Sequence, residues 1–384
     1  MKRSAHVIGG GIAGLATAVA LSRSGWTVRV FERATTLRAT GGGIGITPNG
    51  MRALDALGLG DDVRARAVVQ GEGGVRVPSG RWLARSELGF VERRYGDAIR
   101  ALHRFDLLSA IAGALPPGAL RFGTSAEVVS FGTATAPAVI RAGDSELEAD
   151  VVVAADGIHS ATRHRMHPRH PGLRSTGAVS WRCVVPSDGL SPVAAETWGR
   201  GLRLSILPLP RRRVHFSALA RLTARGRAGH SGGPAPLFGH WHDPIPALLD
   251  RAREHELFFD RIEELVRPLG TFVAGRVALV GDAAHAMTPN VGSANLALED
   301  AVELGSALSG ARTTPDAALA AYDIARRPRT ARLATMSRWM GRVAELSPLP
   351  AVAARNAGVW LGGFLPESVS RGSMDAMVSW TPPH

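Results

Sequence analysis

The chain has 384 residues, 45% of them hydrophobic and 20% charged, a composition that fits a soluble globular protein with room for two domains. No apolar run reaches the roughly 18 residues needed to span a bilayer, and the single cysteine, Cys183, excludes an intrachain disulfide and a cysteine-rich metal site. The formal charge of +12 comes from basic residues dispersed along the whole chain, and Lys2 is the only lysine. Nucleic acid is therefore not an expected partner, and no mechanism that needs an internal lysine is open.

The opening "MKRSAHVIGGG" has two basic residues, but glycines break its apolar stretch too early for a secretory signal, so the expectation is a cytoplasmic, unprocessed protein. "HVIGGGIAGLATAVALSRSGWTVRVFER" then reads as strand, glycine turn, helix and second strand. Gly9, Gly11 and Gly14 form GxGxxG, and Glu32 follows Gly9 by 23 residues at the end of the second strand. The first glycine permits the tight turn, the second the approach of a pyrophosphate and the third close helix packing. The helix N-terminus favours phosphate, and Glu32 accepts hydrogen bonds from ribose hydroxyls. Together these features predict a dinucleotide site without distinguishing FAD from NAD.

"ADVVVAADG" (149–157) and "GRVALVGD" (275–282) are apolar runs ending in an acid, as expected of parallel strands buried on both faces. Between them, "GAVSWRCVVP", "LRLSILPLP" and "RVHFSALA" suggest a sheet-rich second domain. Residues 230–240 read as a loop, and "DPIPALLDRAREHE", 295–310 and 315–344 as helical. The basic clusters at 211–213 and 326–329 read as solvated surface. The predicted fold class is α/β, with a Rossmann-like domain made of 1–75, 98–172 and 268–384, including C-terminal helices. The mainly β-sheet substrate domain is made of 76–97 and 173–267.

"DGIHSATR" (156–163) and "GDAAHAMTPNVG" (281–292), following the GxGxxG opening, resemble the motifs of the class A flavoprotein monooxygenases, the single-component FAD-dependent aromatic hydroxylases. The resemblance extends through "PNGMRALDALGL" (48–59) and "HRFDLLSAI" (103–111). It implies FAD as cofactor, with Asp282 at the ribityl and pyrophosphate region, Arg104 near the flavin chain, and Asp156 and Arg163 organising the pyrophosphate and a transient NADH or NADPH. Arg33, beside Glu32, joins the cofactor set, as do Gly292, Ser293, Ala294 and Asn295, where a helix N-terminus is expected to meet the pyrimidine edge of the flavin. Relatives carry Gly-Gln-Gly-x-Asn or a near variant in this turn. Here Gly292 is followed by Ser293, Ala294 and Asn295, one residue fewer, and Ala286 stands where a proline is frequent. The shorter turn is read as a tolerated deletion, the alternative being a shifted or more weakly held flavin.

The resemblance also implies reduction of FAD by NAD(P)H, addition of dioxygen at flavin C4a, and hydroxyl transfer from the resulting hydroperoxide to a small aromatic or heteroaromatic substrate. An apolar pocket beside the sheet is expected, because water would discharge that intermediate. Trp181, Arg203 and His215 are the pocket candidates from the β segments, with Arg203 binding a substrate anion and His215 assisting deprotonation of a phenol. The chain is expected to act as a monomer or homodimer, without a membrane or nucleic-acid partner. Flavin-dependent halogenases are excluded by the missing internal lysine. A redox-neutral isomerase or cyclase, or a degenerate flavin-binding protein, remains the alternative.

Overall fold

The computed structural model describes residues 3–37, 42–86, 89–221, 233–310, 314–363 and 372–383. Its first layer is a six-stranded sheet in the order Val273–Ala274, Val277–Leu279, Val151–Ala154, Ser4–Ile8, Thr27–Phe31, Leu120–Arg121. All neighbours are parallel except the first pair. Val151–Ala154 and Val277–Leu279 are wholly buried, as their unbroken apolar runs predict. Helices Ile12–Arg23 and Ser293–Ser309 belong to the apolar cluster on one face. The antiparallel strands Ala126–Ser130, Ala138–Ala142 and Ser145–Ala149 share a second cluster with Ile8, Phe31, Val152 and Val277 on the other.

The second layer is a seven-stranded sheet in the order Phe258–Leu265, Leu173–Pro186, Arg213–Arg221, Leu202–Leu209, Ala194–Trp198, Gly73–Arg76, Trp82–Ser86. The three β segments read from the sequence are its centre. Gly73–Arg76 pairs in parallel with Ala194–Thr197, so this sheet draws on the chain from residue 73 rather than 76. Ile245–Arg251, inside the segment read as helical, forms a helix that covers one face of the sheet. Of the expected loop 230–240, residues 230–232 lie outside the described residues, and Ala235–Phe238 forms a helical turn. No helix among the described residues is long and apolar enough to cross a membrane.

The two basic clusters behave differently. Arg211 and Arg212 are exposed in the turn between two strands, as expected. Arg326 in the second cluster is fully buried, which overturns the solvated-surface reading. It lies on the long helix Pro315–Ala344 and donates to Asp300 Oδ1 (2.6 Å), Glu299 Oε2 (2.7 Å) and the Leu296 carbonyl (3.2 Å). Arg329 also grips Glu299, at 2.7 Å to each oxygen, and Asn49 Nδ2 donates to the same carboxylate at 2.7 Å. Burial opposes the charge on Asp300, yet His285 and Arg326 hold its carboxyl well below the usual range. Arg326→Met leaves two buried carboxylates short of a partner and is expected to lower the unfolding free energy by about 3–5 kcal/mol in urea denaturation of the FAD-loaded protein. A loss under about 1 kcal/mol would show that the cluster is not needed for stability.

Candidate active site

The parallel strands bring the three motifs together. Gly9 follows Ile8, Glu32 follows Phe31, Asp156 lies just past Ala154, and Asp282 just past Leu279, all at the carboxyl edge of the sheet where such folds bind ligands. Gly9 has φ +107, and a Cβ there would lie 2.3 Å from the Ala155 carbonyl oxygen. A Cβ on Gly14 would lie 2.0 Å from the Gly9 carbonyl oxygen, so helix and strand meet backbone to backbone. Gly11, the N-cap of Ile12–Arg23, has nothing among the described residues within 4 Å of its Cβ position. Packing therefore requires glycine at 9 and 14, whereas at 11 it leaves open space. Glu32 Oε2 accepts from Gly10 N–H (2.7 Å) and Oε1 from Ala34 N–H (2.8 Å), so this carboxylate also fixes the glycine turn. Arg33 is exposed beside it.

Arg163 is buried and donates to the carbonyls of Asp282 (3.1 Å), Ala283 (3.2 Å) and Ile158. It ties the loop after Asp156 to the turn after Gly281. Asp156 Oδ2 accepts from Thr162 N–H (3.1 Å), while its Oδ1 is buried without a partner among the described residues. The Asp282 side chain is exposed. Arg104 opens the helix Arg104–Gly113; burial lowers its pKa, Asp282 nearby counteracts this and Arg182 adds to it.

Gly292, in a left-handed conformation, caps the helix Ser293–Ser309 without a side-chain hydrogen bond. The N–H groups of Ser293 and Ala294 find no acceptor among the described residues, so this helix terminus presents free donors. Asn295 is buried, donates to the Gly45 carbonyl (3.2 Å) and accepts from Thr47 N–H (3.3 Å), holding residues 45–47 against this helix. One turn further along, Asp300 Oδ2 accepts from Gly281 N–H (2.8 Å) and meets His285 Nε2 at 2.7 Å. The orphaned Asp156 oxygen, the open space at Gly11 and the free donors at Ser293 and Ala294 all fit FAD.

Strand parity divides the pocket candidates. Arg203 pairs with Leu219, Ser205 with Ser217, and Leu207 with His215, so Arg203, Ser205, His215 and Ser217 share one face of the seven-stranded sheet. Trp181 pairs with Ala218 and lies on the opposite face, packed in the cluster that contains Phe238 and Leu248. It is a core residue and not part of the pocket, because its strand position has the wrong parity. Arg203 is buried; its Nη1 donates to Asn290 Oδ1 at 2.6 Å, and its Nε is buried without a partner among the described residues. His215 packs against Gly42 and Gly43, where added Cβ atoms would fall 2.6 Å and 2.8 Å from it, and its Nδ1 lies 3.1 Å from the Cys183 carbonyl oxygen. Burial pushes its pKa down to about 4. Between Arg203 and His215 lies a serine floor, with Ser180 and Ser217 hydroxyls 3.1 Å apart. Missed from the sequence were Glu299, Asp300, Arg326 and Arg329, for which the one visible signal was a pair of acids inside an apolar helix.

Fold and site together define a flavoprotein with a glycine-turn dinucleotide site beside a seven-stranded sheet. The model of the FAD binding domain family matches residues 2–204 and 261–337, and the chain belongs to the single-component FAD-dependent aromatic hydroxylases. It is 34% identical to a 3-amino-4-hydroxybenzoate 2-monooxygenase of Streptomyces cremeus, over 90% of this chain and 87% of that protein. It is 32% identical to an aurachin C monooxygenase/isomerase of Stigmatella aurantiaca, over 88% of this chain and 89% of that protein. Klebsiella pneumoniae HpxO, solved with FAD and uric acid, superposes with a TM-score of 0.86 at 27% identity, covering 98% of this chain and 97% of that one. FAD is the cofactor of this protein.

Gly11→Val is expected to fold, since no neighbour opposes the side chain, yet to be purified colourless because the side chain occupies the phosphate approach. Full retention of yellow flavin would contradict the assignment. For His215, the folded pKa of about 4 lies below the ordinary histidine value of 6.5, so the unfolded chain binds more protons between the two. Its stabilising contribution is complete above about pH 6.5 and is lost as pH falls toward 4. Denaturation at several pH values should therefore show wild type losing up to about 3 kcal/mol more than His215→Phe across this window. Parallel stability curves would show that the histidine is not held neutral by burial.

Proposed function

We propose that the protein is an NAD(P)H-dependent FAD monooxygenase that hydroxylates a small aromatic or heteroaromatic compound, with Arg203 and His215 serving the substrate. One observation carries this reading. Arg203 and His215 lie on the same face of the substrate sheet, Arg203 bonded to Asn290 in the turn before Gly292 and His215 packed on Gly42 and Gly43. Bound FAD supplies hydride acceptance from a nicotinamide nucleotide and activation of dioxygen.

The chain's residues bind, orient and exclude water. Along the strands the two side chains are four positions apart, about 14 Å at the backbone. A ring served by both lies between them, over Ser205 and Ser217. The guanidinium of Arg203 offers Nε to a ring oxyanion while Asn290 holds Nη1 in place. With Nδ1 donating to the Cys183 carbonyl, His215 keeps Nε2 as an acceptor toward a substrate hydroxyl. Its pKa of about 4 makes it a weak base against a phenol near 10, so its part is to accept and orient the hydroxyl hydrogen and not to keep the proton.

The redox-neutral alternative draws some support from the isomerase half of one relative's name. Oxygen-dependent NAD(P)H oxidation by the FAD-loaded protein, screened over phenols and heteroaromatics, separates the two. The expected result is a compound that accelerates oxidation and emerges one oxygen heavier. Arg203→Met should then bind it at least tenfold more weakly, about 1.4 kcal/mol, and His215→Phe should divert more NAD(P)H consumption into peroxide. Conversion of a substrate without nicotinamide or oxygen consumption would overturn the monooxygenase reading.

A further inference from the structure

Methionine is rare in this chain, 8 residues of 384, yet Met287, Met336, Met340 and Met377 meet in one small apolar cluster. Met287, Val291, Leu296 and Leu333 are its buried members, and Met336, Met340 and Met377 pack against them half-buried. Three parts of the chain converge there. Leu333, Met336 and Met340 recur at helical spacing on Pro315–Ala344, Met377 comes from the helix Gly372–Val378, and Met287 and Val291 come from the turn before Ser293.

The cluster braces the flavin end of the molecule. In sequence, Val291 and Leu296 bracket the Ser293 and Ala294 N–H groups. Ser337, beside Met336, meets the Thr288 hydroxyl at 2.7 Å, and its carbonyl accepts from Asn290 Nδ2 at 2.8 Å. Arg329 donates to the Met377 carbonyl (2.9 Å) as well as to Glu299, so the C-terminal helix is tied to the same buried carboxylate as the flavin-side helix. Leucine would fill this space with stiffer packing; methionine adds a sulfur that an oxidant attacks, and a sulfoxide is polar enough to break an apolar contact. Two methionines outside the cluster serve as references: Met51 is fully buried and Met166 is half-buried.

We propose that Met336, Met340 and Met377 are oxidation sites for hydrogen peroxide released at the flavin, and that their oxidation loosens the 287–292 turn and with it the cofactor. Reoxidation of reduced FAD by dioxygen passes two electrons and two protons to oxygen and yields hydrogen peroxide. The thioether sulfur then attacks one peroxide oxygen. The S–O bond forms as the O–O bond breaks, sulfur is oxidised by two electrons, and the other oxygen leaves as water with both protons. The inference rests on FAD and holds whether or not a substrate is hydroxylated.

The test photoreduces the FAD-loaded protein with EDTA, which needs no nicotinamide nucleotide, and reoxidises it in air over repeated cycles with catalase clearing peroxide from bulk solution. Peptide mass spectrometry reads the gain of one oxygen at each methionine. The ratio of sulfoxide at Met336, Met340 and Met377 to sulfoxide at Met166 is expected to be about threefold or more above the ratio produced by adding peroxide to the unreduced protein. A smaller rise would overturn the proposal, since exposure alone would then explain the pattern. FAD retained through gel filtration after the cycles should fall by about half in wild type and much less in the Met336→Leu, Met340→Leu, Met377→Leu triple variant, whose side chains conserve volume. Equal loss in the two proteins would overturn the link to the cofactor. Treating cycled wild type with methionine sulfoxide reductases should restore its FAD retention, and no recovery would overturn the same link even if the triple variant failed to fold. Failure of NAD(P)H to reduce the flavin would reject the monooxygenase reading and leave this test intact.

Discussion

The flavin side of the molecule depends on one buried carboxylate. Asp300 takes the Gly281 N–H on one side and Arg326 on the other, with His285 on the oxygen it shares with Gly281. That pins the turn after the Val277–Leu279 strand to the helix that begins at Ser293. The neighbouring Glu299 extends the clamp through Asn49, the second residue of the helix Pro48–Ala56, and through Arg329. Asn295, on the same helix, holds Gly45 and Thr47. Consecutive turns of one helix therefore set three backbone segments around the cofactor groove. Buried ion pairs are weak sources of net stability, because desolvation offsets much of the attraction, but breaking one leaves a charge stranded. The geometry is thereby restricted to one arrangement.

The clamp also fixes the start of the helix behind the 289–292 turn. Gly292 is left-handed, the helix starts directly at Ser293, and Asn295 reaches Gly45 and Thr47. Charge buried one turn further along holds that helix in place.

Much of this was legible from the sequence. The glycine spacing, the acids at strand ends and the β segments each depend on local period, and local period survives into the fold: strands, helices and the meeting of the motifs at one sheet edge follow from it. Alternation also put Arg203 and His215 on a common face. What the sequence does not carry is which strand parity the helix Ile245–Arg251 covers, so Trp181 is grouped with them although it packs under that helix. Arg326 was misread for a related reason. A run of basic residues is solvated unless another element supplies buried acids, and its partners lie 26 and 27 residues earlier on a different helix.

The seven-stranded sheet carries a row of serines beside an arginine-rich cleft. The Ser180 and Ser217 hydroxyls bond across strands and give that face an uncharged polar stretch next to Arg203. The most direct test of this account is a crystal structure of the FAD-loaded protein. It predicts the flavin ring between the serine floor and the 289–294 turn, with the N–H groups of Ser293 and Ala294 within hydrogen-bonding distance of its pyrimidine edge and the Asp300 clamp unchanged. A flavin ring lying away from the Ser205 and Ser217 face, or a helix start that turns from it, would contradict the account.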